Sequence, residues 1–108
     1  MVTANRQQDA IFRAIADPTR REIIRLLRGG RQTVGQLASN FPTSRPAISK
    51  HVRLLRSAGL IVTRESGTKR LCELNATPLR AVDDWLRDYD AFWRESLRSL
   101  KRHVEKHR

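Results

Sequence analysis

The sequence predicts a mainly α-helical chain with one β-hairpin, on three grounds. Most of the chain repeats apolar residues at intervals of three and four, which is the period of an amphipathic helix. Two of these stretches are short and separated only by Pro42-Thr43, and the second carries basic residues outward. A run rich in β-branched residues, a turn and a second short run follow directly. Two tightly joined helices followed by a hairpin predict a winged helix-turn-helix.

The first two helices are divided by Asp17-Pro18. The first is predicted over residues 5–16. Asp17 is a good N-cap and Pro18 fits the first helical position, so a second helix starts there. It runs to Arg28 and ends at Gly29-Gly30. We expect the inward residues of this pair to be Ile11, Phe12, Ile15, Ile23, Ile24, Leu26 and Leu27.

The helix-turn-helix follows. Its first helix is predicted from Thr33 to Phe41, and its second, the recognition helix, lies within Thr43 to Gly59. Ser44 is a good N-cap, Pro46 fits the first turn and Gly59 is a good stop signal. The inward residues are predicted to be Val34, Leu37, Ala38, Ile48, Val52 and Leu55. On its own, the second helix also fits a solvated basic surface helix without a nucleic-acid partner.

A hairpin after the recognition helix favours the DNA-binding interpretation. Leu60 to Arg64 is rich in β-branched residues, Glu65 to Thr68 supplies a turn with Gly67 suited to positive φ, and Lys69 to Asn75 returns as a second strand. The basic residues near its tip are Arg64, Lys69 and Arg70. The alternative is an ordinary surface hairpin whose charges keep an edge strand soluble. The helix before it favours a wing.

One long helix is predicted from Thr77 to about residue 105, with Thr77 as N-cap and Pro78 in the first turn. A helix of about 28 residues is about 42 Å long. The rest of the chain is too small to cover the apolar stripe along its whole length. We therefore expect part of this stripe to pack against a second copy of the chain. The residues predicted for this interface on the last helix are Leu86, Tyr89, Trp93, Leu97 and Leu100. The alternative is a helix that packs entirely within its own domain. The predicted order is α1-α2-α3-α4-β1-β2-α5, in a single domain over residues 1–108.

The charge of the chain predicts a polyanionic partner. The formal net charge is +11, from 22 Lys and Arg against 11 Asp and Glu. Nucleic acid is the first expectation and an anionic membrane surface the second. Residues 1–76 hold 14 basic and 5 acidic residues, whereas residues 77–108 hold 8 and 6. The excess therefore lies with the helix-turn-helix, as DNA binding requires.

Other features narrow the class of protein. The single cysteine, Cys72, excludes an internal disulfide framework and suits a reducing cytosol, so a cytoplasmic location is expected. The chain shows neither a membrane-length apolar run nor the apolar core of a signal peptide. It has no Gly-rich phosphate loop, no paired carboxylates in an apolar setting and no nucleophile with a recognisable base. The sequence therefore does not predict an enzyme.

Four phrases resemble the ArsR family of winged helix-turn-helix transcriptional regulators. They are AIADPTRREIIRLL, TVGQLASNF, SRPAISKHVRLLRSAGLI and SGTKRLCEL. The late phrase WLRDYDAFWRESLRSL is similar to the SdpR-like subgroup, which lacks an evident metal site. The resemblance implies a homodimer held by the first and last helices, which adds Ile11 and Phe12 of the first helix to the predicted dimer interface. It also implies recognition helices that lie in successive major grooves. It also implies repression of a promoter, often the regulator's own.

The founding members of that family release DNA on binding metal at a Cys-x-Cys phrase before the turn. Here the stretch reads Gly35-Gln36-Leu37-Ala38, and one thiol per chain is too few for a soft-metal site. His103 and His107 lie four residues apart near Glu105, but the basic residues around them repel metal ions. We expect no metal and no cofactor, and leave any small-molecule or metal effector open. For Cys72, oxidation sensing is the alternative to simple packing in the hairpin.

The DNA-contacting residues are expected on the recognition helix and the wing. In helix-turn-helix proteins, the N-terminal part of the recognition helix reaches base edges. Base contacts are therefore predicted for Ser44, Arg45, Ser49 and Lys50. Pro46 and Ala47 are predicted to lie beside a thymine methyl group. Phosphate contacts are assigned to Thr43, His51 and Arg53. Contacts with the flanking DNA backbone or minor groove are predicted for Arg64, Lys69 and Arg70. For His51, packing between helices is an equal alternative.

These observations predict a sequence-specific DNA-binding transcriptional repressor. It would act as a homodimer on an inverted-repeat operator whose half-sites lie about one helical turn apart. Its own promoter is a candidate target. The alternative is a non-specific architectural nucleic-acid-binding protein, which would carry the same charge but show no sequence preference.

Overall fold

The computed structural model describes residues 6–107. Asn5, where the first helix was predicted to start, lies outside the described residues. The helices are α1 Arg6–Ile15, α2 Pro18–Leu27, α3 Val34–Ala38, α4 Arg45–Ser57, α5 Arg80–Arg87 and α6 Asp90–Lys106, with a 3-10 turn at Thr77–Leu79. The strands are β1 Ile61–Ser66 and β2 Lys69–Leu74. This order confirms the predicted winged helix-turn-helix, with one change in the last helix.

Polar side chains at the helix starts explain where the helices begin. Asp17 accepts a hydrogen bond from the Arg20 amide at 3.0 Å, and Pro18 opens α2. Thr33 and Gln36 form a reciprocal capping box at the start of α3. Ser44 accepts a hydrogen bond from the Ala47 amide at 3.3 Å, which fixes the first turn of α4. The predicted N-caps Asp17 and Ser44 are confirmed.

The core lies where α1, α2, α3 and α4 meet the hairpin. The buried residues are Ile11, Ala14, Ile23, Leu27, Leu37, Ile48, Val52, Leu55, Ala58, Leu60, Ile61 and Cys72. The inward stripe predicted for α4 is confirmed in full. Ile24 and Leu26 are only partly buried, because four neighbouring positions of one helix cannot all face the same core.

The hairpin is a two-residue connection between antiparallel strands. The register pairs Ile61 with Leu74 at one end and Ser66 with Lys69 at the other. Gly67 has a φ of 62°, as predicted for the turn. Glu65 and Ser66 belong to β1 and not to the turn, so the prediction of a four-residue turn was wrong. Gln32 adds an isolated bridge to Cys72 and ties the loop before α3 to the hairpin.

The predicted single last helix is two helices. The Thr77 amide donates to the Asn75 side chain at 3.4 Å, and the Thr77 side chain makes no capping bond, so the predicted N-cap was wrong. The chain leaves the helical path at Tyr89, which has a φ of −103°. There Tyr89 bonds to the Leu86 carbonyl in a tightened turn. Asp88 has low helix propensity, and Asp90 suits the positive end of a new helix dipole.

The dimer residues predicted from α1 differ in exposure. Ile11 is fully buried within the single chain, so its assignment to a dimer interface was wrong. Its side chain is fully enclosed by the core of the same chain and cannot reach a partner. Phe12 is partly buried and meets Trp85 edge to face, with ring centroids 5.5 Å apart.

The far end of the chain exposes a long apolar face, which we call the aromatic face. It comprises Trp85, Tyr89, Phe92, Trp93, Leu97, Leu100 and Val104, all of which are exposed. Leu86 is half-buried beside it. Within residues 6–107, no helix is long and apolar enough to cross a membrane.

Candidate nucleic-acid interface

The start of α4 projects a row of exposed side chains. Thr43, Ser44, Arg45 and Pro46 are all exposed at the junction between the turn and the helix. Further along α4, Lys50 and Arg53 are exposed, whereas Ser49 and His51 are partly buried. After Ala38 the chain forms a turn at Ser39 and Asn40 and then bends through Thr43, so α3 is shorter than predicted and ends at Ala38.

A groove runs between α3, α4 and the wing. Its sides are formed by Thr33, Val34, Gly35, Gln36, Ser39, Arg45, Ser49, Arg53, Arg56, Thr63, Thr68, Lys69 and Arg70, and its floor includes Val52 and Cys72. The groove brings Arg45, Ser49 and Arg53 of the recognition helix together with Lys69 and Arg70 of the wing. These predicted contacts therefore share one surface. No acidic residue lines the groove.

Most basic side chains of this surface lack an acidic partner. In the part of the chain that the structure describes, no carboxylate forms an ion pair with Arg45, Lys50, Arg53, Arg56, Lys69 or Arg70. Elsewhere, ion pairs hold Arg25 to Glu22 and Arg98 to Glu95. Unpaired cations concentrated on one surface produce a positive potential that attracts a polyanion.

Arg64 is the exception among the basic residues of the wing. It forms a close ion pair with Glu73, which also lies 3.5 Å from Arg31. Because Glu73 contacts two arginines, part of the Arg64 charge is already neutralised within the chain. A phosphate contact by Arg64 would compete with this carboxylate.

His51 is engaged with α2. Its Nδ1 lies 3.3 Å from Nη1 of Arg20 and 3.9 Å from Oδ2 of Asp17. These contacts fit the alternative in which His51 packs between helices. A phosphate contact by His51 remains a prediction, and only the ring atoms turned away from Arg20 are free to make it.

Cys72 is a buried side chain of β2. Burial raises the pKa of the thiol, although the charges of Arg56 and Arg70 act in the opposite direction. A buried thiol with a raised pKa reacts slowly, so the structure favours packing over oxidation sensing.

The two tail histidines remain close together. The rings of His103 and His107 lie 4.5 Å apart between centroids. Among residues 6–107, no group of three or more His, Cys, Asp or Glu side chains is arranged to hold a metal ion.

Several polar residues of the groove were not predicted from the sequence to contact DNA. They are Thr33, Gln36, Ser39 and Arg56. For Arg56 a signal was present, because it lies three residues after Arg53 on the same helix and so shares its side. The α3 residues gave no such signal, since their proximity to α4 depends on how the two helices pack.

Comparisons with known proteins agree with this architecture. Residues 15–64 match a family model described as a helix-turn-helix domain. The HTH-type transcriptional regulator Rv2034 of Mycobacterium tuberculosis is 41% identical over 92 residues, covering 85% of this chain and 83% of that protein. The transcriptional repressor SdpR of Bacillus subtilis is 39% identical over 79 residues, covering 73% of this chain and 88% of that protein. The crystal structure of the ArsR family transcriptional regulator RHA00566 superposes with a TM-score of 0.75 at 36% identity, covering 87% and 97% of the two chains.

Proposed function

We propose, because the chain belongs to the ArsR family of winged helix-turn-helix transcriptional regulators, that it is a sequence-specific DNA-binding repressor acting as a homodimer. The family consists of regulators and not of enzymes. The similar Bacillus protein is itself described as a repressor, which supports repression over activation. The target would be an inverted-repeat operator, and the chain's own promoter is a candidate.

The observation that carries this proposal is the unpaired basic surface of the recognition helix and wing. Carboxylates paired with these cations would cancel much of the positive potential of this surface. In the part of the chain that the structure describes, the ion pairs lie mainly on other surfaces, and no carboxylate pairs with Arg45, Arg53 or Lys69. Free cations can neutralise phosphates and release counterions, which supplies affinity.

Specificity would come from the first turns of α4. Arg45 presents a planar fork of donors that matches the O6 and N7 acceptors of guanine. Ser44 and Ser49 can donate to or accept from base edges, and Lys50 can donate. A good bidentate contact contributes about 1–3 kcal/mol of discrimination against the wrong base. Thr43, with Arg53, would then fix the register on phosphates.

A second copy of the chain is the proposed partner of the aromatic face. Trp93 is 51% exposed and Leu97 is 66% exposed, which is unusual for side chains of this size on a monomer. Phe12 contacts Trp85 and so links α1 to this surface. The proposed interface comprises Phe12, Leu86, Tyr89, Trp93, Leu97 and Leu100, without Ile11. Two-fold pairing would present two recognition helices to two half-sites about one helical turn apart.

Fluorescence anisotropy tests the proposal. The labelled DNA is the fragment upstream of the chain's own gene, and a random duplex of equal length is the control, at about 50 and 200 mM salt. Tight binding of the upstream fragment alone at the higher salt supports a specific repressor. Equal binding to both duplexes, lost together as salt rises, would instead favour the non-specific architectural protein or an operator elsewhere.

A further inference from the structure

The guanidinium of Arg45 lies beside α3 at Gly35, where the glycine leaves space for it. A methyl group placed on Gly35 would be 3.5 Å from both Cζ and Nη1 of Arg45 and 3.7 Å from Nη2. Three nearly equal distances to atoms of one plane mean that the guanidinium turns its face, and not its edge, towards the position that this methyl group would take. The first residue of the recognition helix therefore lies next to the helix before the turn.

This placement leaves the donors of Arg45 free. The N–H groups of a guanidinium point outward in its plane, so a neighbour on its face does not engage them. No hydrogen-bond or ion-pair partner of the Arg45 side chain occurs among residues 6–107. By contrast, the guanidinium of Arg20 hydrogen-bonds to Ala14, Arg13 and His51. The donors of Arg45 therefore remain available to a base.

Helix caps hold the backbone on both sides of this space. The capping box of Thr33 and Gln36 fixes the first turn of α3, in which Gly35 lies. Ser44 caps α4 immediately before Arg45. With both helix starts held, the space beside Gly35 is available to the guanidinium, and a large side chain at position 35 would fill it.

We propose that Gly35 is a specificity-determining residue that acts by positioning Arg45 for base readout. Because it has no side chain, Gly35 leaves the space beside α3 that the guanidinium occupies in the free protein. The inference rests on the proposed function, in particular on the reading of a base by Arg45. Gly35 itself need not touch DNA.

The chain offers a matched pair of substitutions at this position. A Cβ at 3.5 Å makes an ordinary van der Waals contact, so Gly35→Ala should keep the guanidinium in place. Gly35→Leu adds carbons beyond Cβ that would occupy the space of the guanidinium. Gly35 has no positive φ, so its backbone accepts a side chain without strain. Gly35→Gln is a polar second variant in case the leucine lowers solubility.

The experiment measures base preference for the wild-type chain, Gly35→Ala, Gly35→Leu, Arg45→Ala and the double variant Gly35→Leu/Arg45→Ala. Selection with Arg45→Ala first identifies the base pair whose preference depends on Arg45. Anisotropy then gives the ratio of dissociation constants for duplexes with the right and wrong base there. Circular dichroism and urea unfolding confirm that each variant is folded.

We expect Gly35→Leu to reduce this ratio as Arg45→Ala does, by roughly 5- to 150-fold, with Gly35→Ala unchanged. The double variant should match Arg45→Ala, because the leucine has no arginine left to displace. The inference is overturned if folded Gly35→Leu and Gly35→Gln keep the wild-type ratio, or if Gly35→Leu lowers the ratio further in the Arg45→Ala background. If Arg45→Ala alone changes no preference, base readout by Arg45 is wrong and the role of Gly35 is wrong with it, whereas the repressor proposal is judged by binding to the operator.

Discussion

Nη1 of Arg20 lies 3.3 Å from Nδ1 of His51, and this contact joins α2 to the recognition helix. Because arginine only donates hydrogen bonds, this bond forms when Nδ1 of His51 carries no proton and can accept. Arg20 also donates to the carbonyl oxygens of Ala14 at 2.7 Å and Arg13 at 2.9 Å, at the end of α1. One guanidinium therefore connects α1, α2 and α4, which set the position of the recognition surface.

Replacing Arg20 should destabilise this junction. We expect Arg20→Ala to lower the free energy of unfolding by about 1–3 kcal/mol, since it removes charged hydrogen bonds to partly buried acceptors. The matched control is Arg21→Ala, because Arg21 makes one exposed bond to the Ile15 carbonyl. Urea unfolding followed by circular dichroism measures both variants. Equal losses for the two would show that the junction has no special role.

The N-cap of α2 should make stability depend on pH in the acid range. Desolvation raises the pKa of Asp17, but the hydrogen bond from the Arg20 amide and the charges of His51 and Arg20 outweigh it and lower that pKa below 3.8. A lowered folded-state pKa stabilises the fold above the unfolded-state pKa, and this stability is lost as pH falls through the folded-state value.

Asp17→Asn isolates this contribution, because the amide retains an N-cap but does not titrate near pH 4. The difference in unfolding free energy between wild type and Asp17→Asn should be present above the unfolded-state pKa of Asp17 and shrink as pH falls towards 3, because the carboxylate becomes protonated. A difference that is the same at pH 3 and pH 7 would mean that the Asp17 charge does not stabilise α2.

The recognition helix and the wing should respond differently to loss of charge. Arg45→Ala should relax sequence preference, whereas Lys69→Ala should weaken binding to all sequences similarly. With about four phosphate contacts per subunit, the slope of log affinity against log salt concentration should be near −7. Lys69→Ala removes one contact from each subunit of a dimer, so the slope should become less steep by about 2. Anisotropy titrations from about 50 to 200 mM salt measure the slope. An unchanged slope for Lys69→Ala would remove Lys69 from the contact surface.

The aromatic face should be closed by a second copy. Leu97→Glu would bury an unpaired charge in the interface and should raise the dimer dissociation constant by more than about 100-fold. Ala91→Glu adds the same charge to an exposed position of α6 that faces away from Trp93 and Leu97, and should leave the dimer intact. Sedimentation equilibrium gives the mass, and emission from Trp85 and Trp93 should shift to the red when the dimer separates. A Leu97→Glu chain that remains dimeric would place the interface elsewhere.

The thiol of Cys72 should be protected by folding. Because burial raises its pKa, we expect slow reaction with a disulfide reagent at pH 8 in the folded protein and a fast reaction in urea. Absorbance of the released thiolate follows the rate. Fast labelling without urea would reopen the question of oxidation sensing.

The elements that depend on local chemistry were predictable from the sequence. Ser44, Pro46 and Gly59 mark the ends of α4, and Gly59 has a φ of 83° after the helix, as a stop residue should. Gly67 likewise marked the hairpin turn. These residues act through their own backbone or the next few amides, so their effect does not depend on distant packing.

Features that depend on packing were not predictable in the same way. No Gly or Pro lies between α5 and α6, and the apolar repeat continues across the break at Tyr89. The sequence pattern therefore predicted one continuous helix. The repeat in α1 marked an apolar face but did not show that Ile11 faces the chain's own core while Phe12 lies at its edge. The position of Arg45 beside Gly35 depends on the angle between two helices, which periodicity does not give.

The most direct test of the central claim is selection of bound duplexes from a random-sequence pool by the full chain, at about 200 mM salt. The account predicts one enriched inverted repeat, with half-sites about one helical turn apart and a guanine position whose enrichment disappears with Arg45→Ala. A pool that binds without enrichment of any sequence would contradict the claim, and the chain would then be a non-specific nucleic-acid-binding protein.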